Sequence, residues 1–389
     1  MGTGREFDLV VYGASGFTGR LVAEYVNERY GESLHWALAG RNEEKTRAAR
    51  DELGIPASVP VIVADADRPE TLKALAERTR AVITTVGPYQ LYGEPLVAAC
   101  AGAGTDYVDL CGEPAWMRRM IDAYEETARE SGARIVFSCG FDSIPFDLGV
   151  FFLGEHAREK LGAPPSRVRG RVRGLNGSFS GGTAASLKAT LAAAESDPEV
   201  RELLLDPFAL TPGFSGPEQP PADEPHYDEA LDSWQAPFVM APINTRNVHR
   251  SNLLLGHPYG RDFRYDEMLL TGPGEEGRQI AEAVAVDDSL TADDGPKPGE
   301  GPSREERESG FYDVLFIGET PDGGAVRASV SADLDPGYGS TSRMITESAV
   351  CLIEDATDTP GGIWTTAPAM GNRLIDRLTE NAGLTFRVE

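Results

Sequence analysis

The sequence predicts an α/β protein, a doubly wound parallel sheet of the Rossmann type followed by an α+β region, and three observations carry that reading. An apolar run from Phe7 to Tyr12 flows into Gly13-Ala14-Ser15-Gly16-Phe17-Thr18-Gly19 and then an amphipathic segment, which reads as strand, glycine turn and helix. The alternation of short apolar strands with helical patterns continues to about residue 145. Beyond that point the pattern changes to longer strands, a hairpin and proline-rich loops.

In the opening unit the first glycine permits a tight turn and the second lets backbone amides approach a pyrophosphate. The third allows close packing of helix on strand, and the helix N-terminus favours the anion. A dinucleotide is the implied ligand, with Gly13, Ala14, Ser15, Gly16, Phe17 and Thr18 as its cradle. Leu21, Val22, Tyr25 and Val26 then give the first helix one apolar face.

The second strand, Leu34 to Ala39, ends in Gly40-Arg41-Asn42, where an NAD-selective site usually carries an acid for the ribose. Arg41 instead offers a guanidinium to a 2′-phosphate and a plane to the adenine, so NADP(H) is the expected cofactor. The alternative is that Arg41 merely starts the next helix.

Further strands are expected at 61–64, 81–86, 107–110 and 135–138, with helical patterns near 43–53, 69–78, 94–103 and 114–131. Six strands with five crossovers result. Ligands bind at the carboxyl ends of such strands, so the loops there are the candidate site. Asp65 and Ala66 follow the third strand and suit the adenine. Val86, Gly87 and Pro88 follow the fourth and suit the ribose and pyrophosphate.

Two residues on the same edge are candidates for the chemistry. Tyr89 follows the Gly-Pro turn and could donate its hydroxyl to an oxyanion; otherwise its ring packs there. Asp142 follows the sixth strand and could move a proton; otherwise it caps the helix that Ser143-Ile144-Pro145 opens.

The runs Gly13 to Gly19, Ala39-Gly40-Arg41, Val86 to Tyr89 with Tyr92-Gly93-Glu94-Pro95, Gly112-Glu113-Pro114 and Gly140 to Pro145 closely resemble the saccharopine dehydrogenase-like oxidoreductases. Within that family the chain looks most similar to the branch of the trans-acting enoyl reductases. Ser180-Gly181-Gly182-Thr183, Arg250-Ser251-Asn252 and the stretch from Gly361 to Leu378 extend the resemblance over essentially the whole chain. It implies an NADP-type Rossmann domain, an α+β domain inserted after the sixth strand, and a C-terminal helix returning to the first domain. The boundaries expected are 1–145, 146–343 and 344–389. The implied activity is NADP(H)-dependent reduction of an enoyl, lipid- or polyketide-type substrate. The family also holds imine-reducing amino-acid dehydrogenases, and a non-catalytic NADP-binding role is a third option.

The middle of the chain reads as α+β. A strand at 167–173 leads to an Ala-rich helix that Thr183 caps, ending near Ser196. Later, 311–318 and 325–332 flank Thr320-Pro321-Asp322-Gly323-Gly324 as a hairpin. Residues 206–237 read as a lid, with Phe208, Phe214, Tyr227, Trp234 and Phe238 to bury, and 287–309 as disorder. A helix from about Ala369 to Glu380 should dock on the first domain through Leu374, Ile375 and Leu378.

Arg167, Arg169, Arg171 and Arg173 project from one strand face and Val168 and Val172 from the other. That ladder is either a solvated face paired with the protein's own carboxylates or a dock for an acyl-carrier protein or coenzyme A phosphates. For the imine-reducing alternative, the ladder or Arg246 and Arg250 could hold substrate carboxylates.

At 389 residues the chain exceeds one usual core, and its 41% hydrophobic content can fill two. The formal net charge of -26 repels nucleic acid and anionic membranes. With no signal peptide or transmembrane run, a cytoplasmic location is expected, with a small-molecule or acyl substrate and a homodimer left open. The four cysteines lack Cys-x-x-Cys spacing and read as reduced structural thiols, and the five histidines imply no metal.

Overall fold

The computed structural model describes residues 4–178, 181–289, 299–320 and 323–389, which build two seven-stranded sheets. The first contains β1 (Phe7–Tyr12), β2 (Trp36–Gly40), β3 (Val61–Val63), β4 (Thr79–Thr84), β5 (Asp106–Val108) and β6 (Arg134–Val136). Its crossovers are α1 (Phe17–Tyr30), α2 (Glu43–Glu52), α3 (Pro69–Ala76), the single turn α4 (Tyr89–Tyr92) with α5 (Glu94–Ala103), and α6 (Pro114–Ser131). Residues 37 to 39 of β2 and 9 to 11 of β1 are fully buried, as strands covered by helices on both faces must be. That is why these segments read as unbroken apolar runs.

Strand order runs β3-β2-β1-β4-β5-β6, all parallel, and reverses between β1 and β4. The glycine turn after β1 and the Val86-Gly87-Pro88 loop after β4 therefore face one crevice. β4 ends at Thr84, two residues earlier than the sequence suggests, which leaves Val86 in the loop.

The second sheet takes β7 (Arg167–Asn176), β8 (His226–Asp228), β9 (Ser233–Pro237), β10 (Arg264–Gly272), β11 (Phe311–Glu319) and β12 (Ala325–Ala332). Around it lie α7 (Ile144–Leu161), α8 (Gly181–Ser196), α9 (Pro198–Leu205), α10 (Ala241–Leu254), α11 (Gly274–Ala285) and α12 (Arg304–Glu308). The sheet is mixed: β7 and β10 are parallel, and the other pairings are antiparallel. Val168 and Val172 of β7 share a core with Phe146 and Leu153 of α7 and Phe316 of β11. Gly149 makes that contact close, since a Cβ there would lie 2.3 Å from the Phe316 ring.

After β12 the chain returns through α13 (Thr341–Glu354), β13 (Gly362–Trp364), α14 (Thr366–Met370), α15 (Asn372–Arg377) and β14 (Thr385–Val388). Here the structure departs most from the sequence reading. β13 pairs in parallel with β6 and becomes the seventh strand of the first sheet, Ile363 lying opposite Ile135. β14 crosses to the second sheet and pairs with β12. The single helix expected over 369–380 is broken at Gly371, whose φ of 50° and ψ of -130° suit only glycine.

The return is anchored by buried polar groups as well as apolar ones. Glu347 on α13, fully buried, accepts the hydroxyls of Tyr25 at 2.8 Å and Tyr30 at 2.5 Å from α1, and Arg377 donates to it at 3.1 Å. Asp147 of α7 accepts Thr366 Oγ1 and the Ala367 amide, each at 2.8 Å. Such donors offset part of the cost of burying a carboxylate, although Asp147 Oδ1 has no partner among the described residues.

Three other expectations change. Thr183 lies inside α8, which begins at Gly181, so it caps nothing; its hydroxyl meets that of Tyr338 at 3.1 Å. Within 206–237, β8 and β9 extend the second sheet, while Ala209 and Leu210 are fully buried and Phe208 packs its ring 4.6 Å from His249. This is a seated strap and not a free lid. Tyr227, expected to bury, is exposed. Within 287–309, residues 290–298 lie outside the described residues, but 304–308 form α12 behind a Ser303–Glu306 capping box, which corrects the expectation of disorder. Of the hairpin turn, Pro321 and Asp322 also lie outside the described residues, as does Ser180. Among the described residues no helix is long and apolar enough to cross a membrane.

Candidate functional site

The glycine turn is shaped by close approach. Gly13 has φ 92°, and a Cβ on it would lie 2.8 Å from both Thr85 Oγ1 and Val86 Cγ2. A Cβ on Gly19 would stand 2.1 Å from the Gly13 carbonyl oxygen. Only glycine allows strand, helix and facing loop to meet this tightly. At the start of α1 the N-cap is Gly16, with no side-chain cap, so the leading amides of Phe17 and Thr18 receive no side-chain acceptor. Those donors and the helix dipole suit a pyrophosphate.

The expected adenosine residues converge beside the turn. A Cβ on Gly40 would be 4.0 Å from Ser15 Oγ, so the ends of β1 and β2 are in contact. Burial first, and then the Asp65 carboxylate, push the Tyr12 phenol up to about 12, with Ala66, Arg41 and Asp67 also acting on it. Asp65 accepts the Asp67 amide at 3.2 Å and lies 3.6 Å from Arg68. Arg41 is exposed and has neither a hydrogen bond nor an ion pair among the described residues. The structure thus brings Gly13 to Thr18, Arg41, Asp65, Ala66 and Val86 to Pro88 to one edge.

Tyr89 has a different job from the one its position suggests. Its hydroxyl donates to the Thr84 carbonyl at 3.2 Å and accepts the Leu110 amide at 3.1 Å, tying β4 to the loop after β5. Its ring packs 5.7 Å from Trp116, and burial holds the phenol well above its ordinary value. The hydroxyl is committed to backbone, so the geometry corrects the catalytic reading to a structural one. Glu113, which the sequence reading quoted only within a motif, fixes the same loop. Its two oxygens accept the amides of Tyr89 at 2.9 Å and Gln90 at 2.8 Å, and Ser186 of α8 also hydrogen-bonds to it. Gln90 in turn donates to Thr190 Oγ1 at 3.2 Å. Helix α8 is thereby laid against the crevice.

Asp142 is not the helix cap either, since Ser143 occupies that position. Its carboxyl oxygen points at Gly112, 3.9 Å from where a Cβ would stand there. It lies deep yet keeps some exposure, and burial alone pushes its pKa up to about 7. Behind it, Ser143 accepts Asn247 Nδ2 at 2.7 Å and donates to Asn244 Oδ1 at 3.1 Å. Asn244 then donates to Glu267 at 2.9 Å, and burial raises that acid to about 8. Sequence reasoning missed this buried chain; Asn244 and Asn247 at helical spacing were its one signal.

The arginine ladder is a ladder of ion pairs. Arg167 and Arg171 hold Asp266 at 2.6 and 2.7 Å, Arg169 holds Asp228 at 2.8 Å, and Arg173 holds Asp313 at 2.9 Å and Glu389 at 2.7 Å. A cavity of about 430 Å³ opens over this face, but Asp223 and Glu224 add further acid to it. It lies on the second sheet, away from the crevice. The ladder is thus paired with the protein's own carboxylates, the first of the two alternatives read from the sequence. Arg246 and Arg250 are also spent internally: Arg246 donates to the carbonyls of Pro242 and Leu204, and Arg250 to those of Leu210 and Ile363.

The crevice, its uncapped helix and its close-approach glycines define a dinucleotide-dependent oxidoreductase. Residues 9–136 match the saccharopine dehydrogenase NADP binding domain. The chain belongs to the saccharopine dehydrogenase-like oxidoreductases, in the family of the trans-acting enoyl reductases. It is 43% identical to a Mycobacterium tuberculosis protein provisionally given that name, covering 97% of this chain and 96% of the relative. It is 40% identical to the trans-acting enoyl reductase of Mycobacterium bovis, with 96% of each covered. Among solved structures, saccharopine dehydrogenase of Saccharomyces cerevisiae superposes with a TM-score of 0.54 at 10% identity, over 98% of this chain and 100% of that one. Homospermidine synthase of Legionella pneumophila gives 0.55 at 10% identity, over 98% and 91%. These two likenesses speak to fold.

Proposed function

We propose that the protein is an NADPH-dependent reductase of the activated carbon–carbon double bond of an enoyl substrate, with Asp142 as the proton donor. The observation that carries this is Asp142 itself, a carboxyl group at the crevice raised to about 7 by burial, with no hydrogen-bond partner among the described residues. Such a group keeps a substantial acid form near neutral pH and is acidic enough to give the proton up. NADPH, when bound, supplies the hydride. The turn from Gly13 to Thr18 holds its pyrophosphate, Arg41 its 2′-phosphate, and Asp65 and Ala66 its adenine. The Glu113-held loop fixes the nicotinamide side, where positioning is most of the catalysis.

The relatives named trans-acting enoyl reductases favour the enoyl substrate over an imine. The basic groups an amino-acid dehydrogenase would need for α-carboxylates are spent here, in Asp266, Asp228 and Asp313 for the ladder and in backbone carbonyls for Arg246 and Arg250. The test is NADPH oxidation against enoyl thioesters of graded chain length, with an α-keto acid plus amine as the competing substrate pair. Turnover on the second pair alone would sink the proposal.

A further inference from the structure

We infer that Arg307, from the second half of the chain, is a pyrophosphate contact of the cofactor. The side chain of Phe17 leaves the first turn of α1, where the uncapped amides lie, and three separate elements converge on its ring. The Tyr338 ring meets it edge-on at 5.2 Å, the Arg307 guanidinium lies 5.8 Å from its centroid, and Gly301 comes so close that a Cβ would stand 2.4 Å from it. The geometry is braced from behind: the Arg307 carbonyl accepts the Asp335 amide at 3.0 Å, and Asp335 in turn accepts the amides of Gly337, Tyr338 and Gly339.

Arg307 stands out for its spare donors. In this acidic protein the arginines of β7 are all ion-paired, yet half-buried Arg307 makes, among the described residues, one hydrogen bond, from Nη1 to the Pro302 carbonyl at 2.7 Å, and no ion pair, with the Asp335 carboxylate acting on it only as a nearby charge. Its neighbour Arg304 on the same helix is spent on Glu308 at 2.9 Å. A guanidinium carries five donors, and the four that remain beside the Phe17 ring are assigned to a dianionic pyrophosphate seated on the Phe17 and Thr18 amides. Arg41, after β2, reads the 2′-phosphate, and Arg307, on α12, reads the pyrophosphate. These two anionic groups of the cofactor thus become a bond between the halves of the protein. This rests on the NADP-binding turn and not on the identity of the reduced substrate.

The test is calorimetric titration of the full-length protein with NADPH and, separately, with 2′-AMP, which keeps the 2′-phosphate but lacks the pyrophosphate. Arg307→Met should weaken NADPH about 10- to 30-fold, the loss of a charge-assisted contact, and leave 2′-AMP within twofold. Arg41→Met should weaken both ligands, and Arg304→Ala neither. Arg307→Lys keeps the charge and should recover most of the NADPH affinity, which keeps the inference falsifiable if the methionine variant does not fold. NADPH affinity unchanged in Arg307→Met, or equal losses for NADPH and 2′-AMP, overturns the assignment. Native protein that takes 2′-AMP but no NADPH overturns it together with the cofactor reading.

Discussion

Glu113 receives the Tyr89 amide at 2.9 Å while the Tyr89 hydroxyl receives the Leu110 amide at 3.1 Å, so the loops after β4 and β5 are laced together in both directions. One stitch uses a carboxylate and the other a phenol. Neither leaves a free group toward the crevice, and both set where the crevice wall stands.

Tyr89→Phe should therefore act on stability. The lost hydroxyl leaves the buried Thr84 carbonyl and the half-buried Leu110 amide short of a partner, at a cost of about 1–3 kcal/mol. We expect a lower melting temperature with turnover reduced less than threefold at temperatures where the variant is folded. A loss of about 10²-fold or more without destabilisation would return Tyr89 to the chemistry.

Asp142→Asn should lower kcat by about 10²- to 10³-fold on an enoyl thioester, with NADPH affinity kept. The native kcat should fall as pH rises through about 7, because the acid form is lost, and the variant should lack that limb. Native stability should fall with rising pH as well, over the range between the unfolded and folded values of the carboxyl. A carboxyl raised in the folded state favours folding below its unfolded value and costs stability once pH passes that value and climbs toward the folded one. The asparagine variant should match the native protein near pH 4 and melt higher near pH 8. Melting curves at the two pH values check the sign.

Arg41→Asp should weaken NADPH by roughly 1.5–3 kcal/mol more than NADH, since only the former carries the phosphate the guanidinium can pair. Parallel titrations of both cofactors measure it. Equal weakening would show that Arg41 does not discriminate.

Deleting residues 361–389 removes an edge strand from each sheet, β13 beside β6 and β14 beside β12. It also strips the Arg377 partner from buried Glu347 and the Thr366 and Ala367 donors from buried Asp147. We expect loss of soluble protein or a melting temperature many degrees lower, with NADPH affinity falling alongside. An unchanged melting temperature would refute the docking.

The central strands of the first sheet, β1, β2 and β4, were legible because they are buried on two faces, and the turn after β1 carries its own chemistry, as Gly13 and Gly19 show. The residues proposed as the cofactor cradle lie together at that sheet's carboxyl edge. β13 was not legible, for three residues between Gly362 and Trp364 give no alternation, and their partner β6 is far away in sequence. The break at Gly371 was hidden because Leu374, Ile375 and Leu378 keep a helical face on the far side of it. At the crevice, sequence placed Tyr89 and Asp142 on the correct edge but could not show which way a hydroxyl points. It is the amide of Leu110, reachable only through the fold, that decides Tyr89. The ladder arginines were seen without their acids, since Asp266 and Asp313 come from other strands.

The pairing of β13 with β6 sets a limit on when the protein can be finished during its synthesis. The strand that completes the nucleotide-binding sheet leaves the ribosome after every strand of the second sheet except β14. Until then β6 presents an open parallel edge, the kind of surface that recruits another chain. A ribosome stalled short of residue 362 therefore carries a nearly complete Rossmann sheet with one side unsealed, and the growing chain depends on β13, or on a chaperone, to close it.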